Sequence, residues 1–99
     1  MTGEAVHPAL AEAVQSGSVE AVRRALEQNV GNINGLDQRG HTALHWAVFG
    51  GYVEIVQLLL TRGADPNVAS RDGITPLWNA RDFGLAEIDA LLVKHGAKV

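Results

Sequence analysis

His41 and His45 stand four residues apart, a spacing that sets two imidazoles on one helical face where they could share a divalent metal. A protein-held zinc needs a third ligand, and the sequence supplies no obvious one in register. The chain has no cysteine, which rules out a thiolate site and a disulfide framework. Gly31-Asn-Ile-Asn-Gly35 is glycine-rich but leads into a turn, not from a strand into a helix, so it reads as a loop and not a phosphate cradle. No nucleophile motif is present. Glu20, Glu54 and Glu87 could be general acids. They recur at one position of a regular pattern, however, which marks them as helix-start residues matched to the helix dipole. No catalytic residue, metal ligand or cofactor is assigned, and no enzymatic activity is expected.

That recurrence is the main organising feature. Gly40, Thr42, Leu44, Ala47, Gly51, Glu54, Ile55, Leu58, Leu59 and Gly63 return 33 residues later as Gly73, Thr75, Leu77, Ala80, Gly84, Glu87, Ile88, Leu91, Leu92 and Gly96. A fainter copy lies earlier: Leu10, Ala13, Gly17, Glu20, Leu26 and Asn34 match Leu44, Ala47, Gly51, Glu54, Leu60 and Asn67. A fixed period of this length marks a stacked-repeat protein with an open binding face. The 99 residues form one domain of three repeats, about 7–36, 37–69 and 70–99.

Each unit reads as two short helices and a loop. Thr42 is a natural N-cap for a helix through Phe49, because its hydroxyl can accept from a free amide of the first turn. Gly50-Gly51 ends that helix. A second helix follows, roughly Val53 to Thr61, apolar around most of its circumference and therefore covered on more than one side. Gly63 stops it. Ala64 to Gly73 is turn-rich and predicts a hairpin-like finger. Thr75-Pro76 opens the next unit, with proline at the first helical position, where its missing N–H costs nothing.

Composition narrows the partners. Hydrophobic residues make up 46% of the chain, charged residues 19% and aromatics 5%. Small and medium apolar side chains therefore dominate, as closely packed thin helices require. The net charge is −3 and the longest basic run is Arg23-Arg24, which disfavours a nucleic-acid partner. The stretch from Met1 to Pro8 lacks a basic region followed by an apolar one, so no signal peptide is expected. No apolar run is long enough to span a bilayer, so no membrane role is expected. With the lack of cysteine, the chain reads as cytosolic.

These motifs give the chain a clear resemblance to the ankyrin repeat. Gly40-His-Thr-Ala-Leu-His-Trp-Ala47, Gly51-Tyr-Val-Glu-Ile-Val56, Leu58-Leu-Leu60, Gly63-Ala-Asp-Pro-Asn67 and Gly73-Ile-Thr-Pro-Leu77 carry it, across residues 7–99. The resemblance implies an all-α repeat solenoid of three stacked helix-turn-helix units joined by hairpin-like loops. It also implies a structural hydrogen bond for His45, and it permits hydroxylation of Asn67, although turn geometry accounts for that asparagine more simply. Departures from the pattern cluster at the ends. Arg24 stands where Leu58 and Leu91 stand later, Arg81 replaces the equivalent of Val48, Asp89 that of Val56, and Trp78 that of His45. Terminal repeats lack one neighbour, so positions that would face it meet water and turn polar. Arg81 and Asp89 should lie close together on the outer face of the last repeat. The chain is expected to be complete and self-capped at both ends.

The resemblance places a partner on the concave side, formed by finger tips and first helices. The matching positions are Gln38, Arg39, Arg71 and Asp72 at the tips, with His41 and Ile74 behind them. Trp46, Phe49, Asn79, Asp82 and Phe83 lie on the first helices, and Glu12 and Gln15 match them in the first repeat. Trp46 and Phe49 are three apart and share a helical face, and Phe83 extends it. Large aromatic groups there suit a binding hot spot, with Arg39, Arg71, Asp72 and Asp82 as its polar rim. The expected function is a non-catalytic protein–protein interaction module that works by surface complementarity. The alternative is a stoichiometric bacterial inhibitor, such as an immunity protein occluding a toxin's active site. A small acidic chain rich in Ala, Gly, Val and Arg, similar to ankyrin proteins of high-GC bacteria, motivates it. The chain is expected to be a monomer, with self-pairing of the aromatic face open to it.

Overall fold

The computed structural model describes residues 8–28 and 32–98. The segment from Met1 to His7, on which the signal-peptide reading falls, lies outside them, as do Gly31 of the Gly31–Gly35 loop and the final Val99. The described residues contain six α-helices and no strand: α1 (Pro8–Ser16), α2 (Val19–Leu26), α3 (Ala43–Gly50), α4 (Val53–Thr61), α5 (Pro76–Asp82) and α6 (Ala86–Lys94). They form three antiparallel pairs. The first helices pack side by side in one layer, α1 on α3 and α3 on α5. The second helices form the other layer, α2 on α4 and α4 on α6.

Local chemistry sets the helix ends. Thr42 and Thr75 have extended backbones, and their hydroxyls accept from the amides of His45 at 3.2 Å and Trp78 at 3.3 Å. Gly51 closes α3 in the left-handed conformation, φ 71°, which L side chains adopt only with strain. The core runs between the layers. Leu10, Val14 and Val22 fill it in the first pair, Leu44, Val48, Ile55, Val56 and Leu59 in the second, and Leu77, Ile88 and Leu92 in the third. Leu59 is 0% exposed.

The fingers are hairpin turns. Asp37 N–H donates to the His41 carbonyl at 2.9 Å, and Gly40 N–H to that of Asp37 at 2.9 Å. One repeat on, Ser70 N–H donates to Ile74 at 2.8 Å and Gly73 N–H to Ser70 at 2.8 Å. The tips are joined, since Arg71 N–H donates to the Gly40 carbonyl at 2.8 Å. Gly40 has φ 82°, and a Cβ there would sit 2.7 Å from Cβ of Arg71, so only glycine lets the tips approach this closely.

Two details of the sequence reading change. Asn67 has no left-handed backbone; its side chain is a tether. Its Oδ1 accepts from Lys98 N–H at 2.8 Å and its Nδ2 donates to the Gly96 carbonyl at 3.0 Å. Asn34 makes the accepting half of this tether a repeat earlier, taking the Asp65 N–H at 2.6 Å. The loops are thus laddered by asparagine amides. Trp78, in the place of His45, is 54% exposed where His45 is fully buried. Arg81 and Asp89 meet as expected: Nε donates to Oδ2 at 3.0 Å and Nη2 to Oδ1 at 3.3 Å.

Candidate functional site

The surface of finger tips and first helices centres on the finger of the second repeat and α3. Asp37 organises it. Its Oδ1 accepts from the amides of Arg39 at 2.9 Å and His41 at 3.0 Å, closing the turn that leads into α3. Its Oδ2 accepts from the indole N–H of Trp46 at 2.5 Å. The finger and the first helix are therefore locked to one another through a single carboxylate. Burial alone would raise the Asp37 carboxyl. The His41 amide, the Trp46 indole and the Arg39 amide outweigh that and hold it below the ordinary carboxylate value.

Around this lock the aromatic rings stack edge to face. His41 meets Trp46 at 5.2 Å and Phe49 at 5.1 Å between centroids, and Trp46 meets Phe49 at 5.5 Å. Phe83 of the next repeat lies 6.2 Å from Phe49 and continues the surface. The guanidinium of Arg39 lies over the Trp46 ring at 5.9 Å, a cation–π arrangement. Across from these groups the tips and α1 bound a groove of about 720 Å³, lined by Pro8, Ala11, Glu12 and Gln15 on one side and Leu36 to Arg39 with Arg71 on the other.

His45 sits behind the site and carries no free lone pair. Its Nδ1 accepts from the Thr42 amide at 3.2 Å and meets the Thr42 hydroxyl at 2.7 Å. These donors leave the ring proton on Nε2, which donates to the Ile74 carbonyl at 2.8 Å in the next repeat. A metal shared with His41, whose ring centroid lies 5.8 Å away, would have to break one of these bonds. Among the described residues no three His, Cys, Asp or Glu side chains are grouped to hold a metal ion.

Most of the residues named from the sequence come together here. Gln38, Arg39, Arg71, Asp72, Asp82 and Phe83 are exposed, as are Glu12 and Gln15. His41, Trp46, Phe49 and Ile74 are half-buried, so the aromatic groups form a partly seated cluster and not freely projecting side chains. Asn79 is a correction: it is 8% exposed, and its Oδ1 is buried with no hydrogen-bond partner. Its short side chain sits on a helix packed against α3 and stays below the surface that Trp46 reaches one repeat earlier. Asp82 stands apart, lining a cleft with Trp78 at the end of the stack.

Asp37 is the residue that sequence reasoning missed. The signal was present: Asp37-Gln-Arg-Gly40 aligns with Ser70-Arg-Asp-Gly73, an acceptor followed three residues later by glycine, which is a turn signature. Replacing Asp37 by alanine should lower stability by about 1.5–3 kcal/mol, the range for hydrogen bonds to a charged group. Because the folded pKa is depressed, this stabilisation is complete above the ordinary carboxylate range and lost as pH falls through the depressed value. Urea unfolding at neutral and acidic pH should show a smaller acid loss in Asp37→Ala than in the wild type; equal losses would mean that the carboxylate does not hold the site.

The model of the ankyrin-repeat family, in three copies, matches residues 4–70. Over 91 residues the chain is 36% identical to the E3 ubiquitin-protein ligase Ufd4 of Drosophila melanogaster, covering 92% of this chain and 3% of that protein. It is 43% identical over 65 residues to osteoclast-stimulating factor 1 of Rattus norvegicus, covering 66% of this chain and 28% of that one. The chain thus spans less than a third of these relatives. Among solved structures, an ankyrin repeat domain from Acinetobacter baumannii is 46% identical, with a TM-score of 0.84 over 90% of this chain and 47% of that one.

Proposed function

Because this chain belongs to the ankyrin-repeat family, whose repeats are protein–protein interaction modules and generally non-catalytic, we propose that it binds a partner protein through its concave face. The observation that carries this reading is the Asp37–Trp46 lock. It fixes the Trp46, Phe49 and His41 cluster beside the paired finger tips before any partner arrives. A pre-set aromatic cluster loses little conformational freedom on binding, which is how a small surface reaches useful affinity. Gln38, Arg39, Arg71 and Asp72 form the rim at the tips, with Phe83 extending the apolar part. The partner is a protein met in the cytosol, a reading that the cysteine-free sequence suits. No helix among the described residues is long and apolar enough to cross a membrane.

A narrower role, as a stoichiometric inhibitor covering a partner's active site, uses the same face. It requires that a captured partner be an enzyme and lose activity at a one-to-one ratio.

The test is capture from a lysate of the source organism, comparing the wild type with a Trp46→Ala, Phe49→Ala double variant shown by circular dichroism to be folded. The double variant should lose its partner, with affinity down by roughly 100-fold, as expected when hot-spot aromatics are truncated. A partner held equally well by the folded variant would put the contact elsewhere.

A further inference from the structure

The loop that leads into the second finger carries a reactive pair, Asn34-Gly35. An asparagine side chain can lose its amide without any enzyme when the next backbone nitrogen reaches its Cγ. Glycine, which has no Cβ, shields that nitrogen least and gives the chain most freedom to bring it there. The other asparagines of the chain are followed by Val30, Ile33, Val68 and Ala80, each of which carries a Cβ. In the fold the pair is held by two hydrogen bonds. Gly35 N–H donates to the Asn32 carbonyl at 2.8 Å, which commits the attacking nitrogen to a turn. Asn34 Oδ1 takes the Asp65 N–H at 2.6 Å, which holds the side-chain amide against the next repeat. The hold is partial. Asn67 grips both Gly96 and Lys98, whereas Nδ2 of Asn34 makes no hydrogen bond to a described residue. Asn34 is also only half-buried, so water has access to it.

We propose that Asn34 is a self-modification site, converted to aspartate and isoaspartate through a cyclic imide with Gly35, and that the loop ladder between the first two repeats sets its rate. Attack by the Gly35 nitrogen forms the N–Cγ bond and breaks the Cγ–Nδ2 bond. The Gly35 amide proton leaves with Nδ2 as ammonia. Water then opens the ring. Addition at Cγ gives aspartate, whose carboxylate can still accept from Asp65. Addition at the Asn34 main-chain carbonyl carbon gives isoaspartate, with the chain now running through Cβ and Cγ. The oxygen that took the Asp65 N–H then belongs to the main chain, and the backbone is one methylene longer. That product breaks the tether between the first two repeats and shifts Leu36 and Asp37, which follow directly. Both hydrogen bonds must open before the nitrogen and Cγ can meet, so the reaction proceeds from locally opened molecules.

The test is ageing at mildly alkaline pH, with the chain folded in one sample and unfolded in guanidinium chloride in another. The tryptic fragment from Ala25 to Arg39 is followed by mass spectrometry, with fragmentation to locate the change. Asn34 should convert in both samples, into two products of equal mass, and more slowly in the folded chain by roughly 5- to 100-fold, as expected for two net hydrogen bonds. In guanidinium chloride Gly35→Ala should slow the loss strongly, and there the folding of the variant does not enter. Asp72-Gly73 can form the same imide, but with no change of mass or charge and in a different fragment. The aged folded sample is then split on an anion exchanger. The more acidic fraction, which holds the converted chains, should unfold at lower urea than the unconverted fraction, which has had the same exposure at Asp72. Equal rates in the folded and unfolded chains would overturn the proposal, as would aspartate as the sole product, a loss untouched by Gly35→Ala, or two fractions of equal stability.

Discussion

Leu59→Ala should cost about 2–5 kcal/mol of folding stability, the range for truncating a fully buried leucine. Leu59 is 0% exposed on α4, the middle helix of the second layer, with α2 on one side and α6 on the other. Cutting its side chain removes apolar atoms from the core between the layers and leaves a void that these short helices can only partly close. A stacked array of three repeats has few interfaces, and stability is roughly their sum plus the weak intrinsic stability of each unit. Losing several kcal/mol from the central repeat is therefore expected to unfold a large fraction of the molecules, with all three repeats going together. Urea unfolding followed by circular dichroism measures this. A loss below about 1 kcal/mol, the size of a surface change, would contradict the packing described here.

Loss of His45 should be of similar size, with a pH signature that Leu59→Ala lacks. His45 both caps its own helix and grips the next repeat. Thr42 donates to one ring nitrogen and the other donates to Ile74, 29 residues on. Replacing it by alanine opens a cavity and strands the Thr42 amide and the Ile74 carbonyl, at a cost of about 3 kcal/mol. Burial pushes the imidazole below its ordinary value, with the Ile74 carbonyl pulling part of the way back. The sign follows from linkage. A depressed histidine is neutral in the fold, so its contribution is complete above the unfolded value of about 6.5 and declines as pH falls below it. Stability measured between neutral pH and the depressed value should fall in the wild type, and the part due to His45 should vanish in His45→Gln. The other three histidines remain in both proteins, so the difference isolates the part that depends on His45, its repulsion with His41 included. Equal pH slopes would show that His45 does not couple the repeats.

Much of the architecture could be read from the residues because it repeats. A threonine at 42 and again at 75 caps two helices in the same way, and one period predicts both. The polarity of Arg81 and Asp89 was legible because their equivalents, Val48 and Val56, showed what the positions bury when a neighbour is present. The candidate site was less legible because it does not repeat. Trp46 is held by Asp37, nine residues back, and the same two positions one repeat later hold Asn79 and Ser70, which form no such bond. Whether a first-helix side chain stands at the surface or lies beneath it depends on its length and rotamer, and periodicity carries neither. That is why Asn79 is buried, while Trp46 and Phe49 are half-seated. The tether made by Asn67 escaped for a similar reason: its partners, Gly96 and Lys98, lie a full repeat away.

The proposed interaction face on the finger tips and first helices is the centre of this account, and a titration of the isotope-labelled chain with its captured partner, followed by amide NMR shifts, tests it most directly. Shifts should concentrate on the finger tips around Gln38, Arg39 and Arg71 and on α3 at Trp46 and Phe49, with the Trp46 indole signal moving most because its hydrogen bond to Asp37 lies at the contact. Shifts confined to α2, α4 and α6, with the Trp46 indole unmoved, would put the partner on the opposite layer and contradict it.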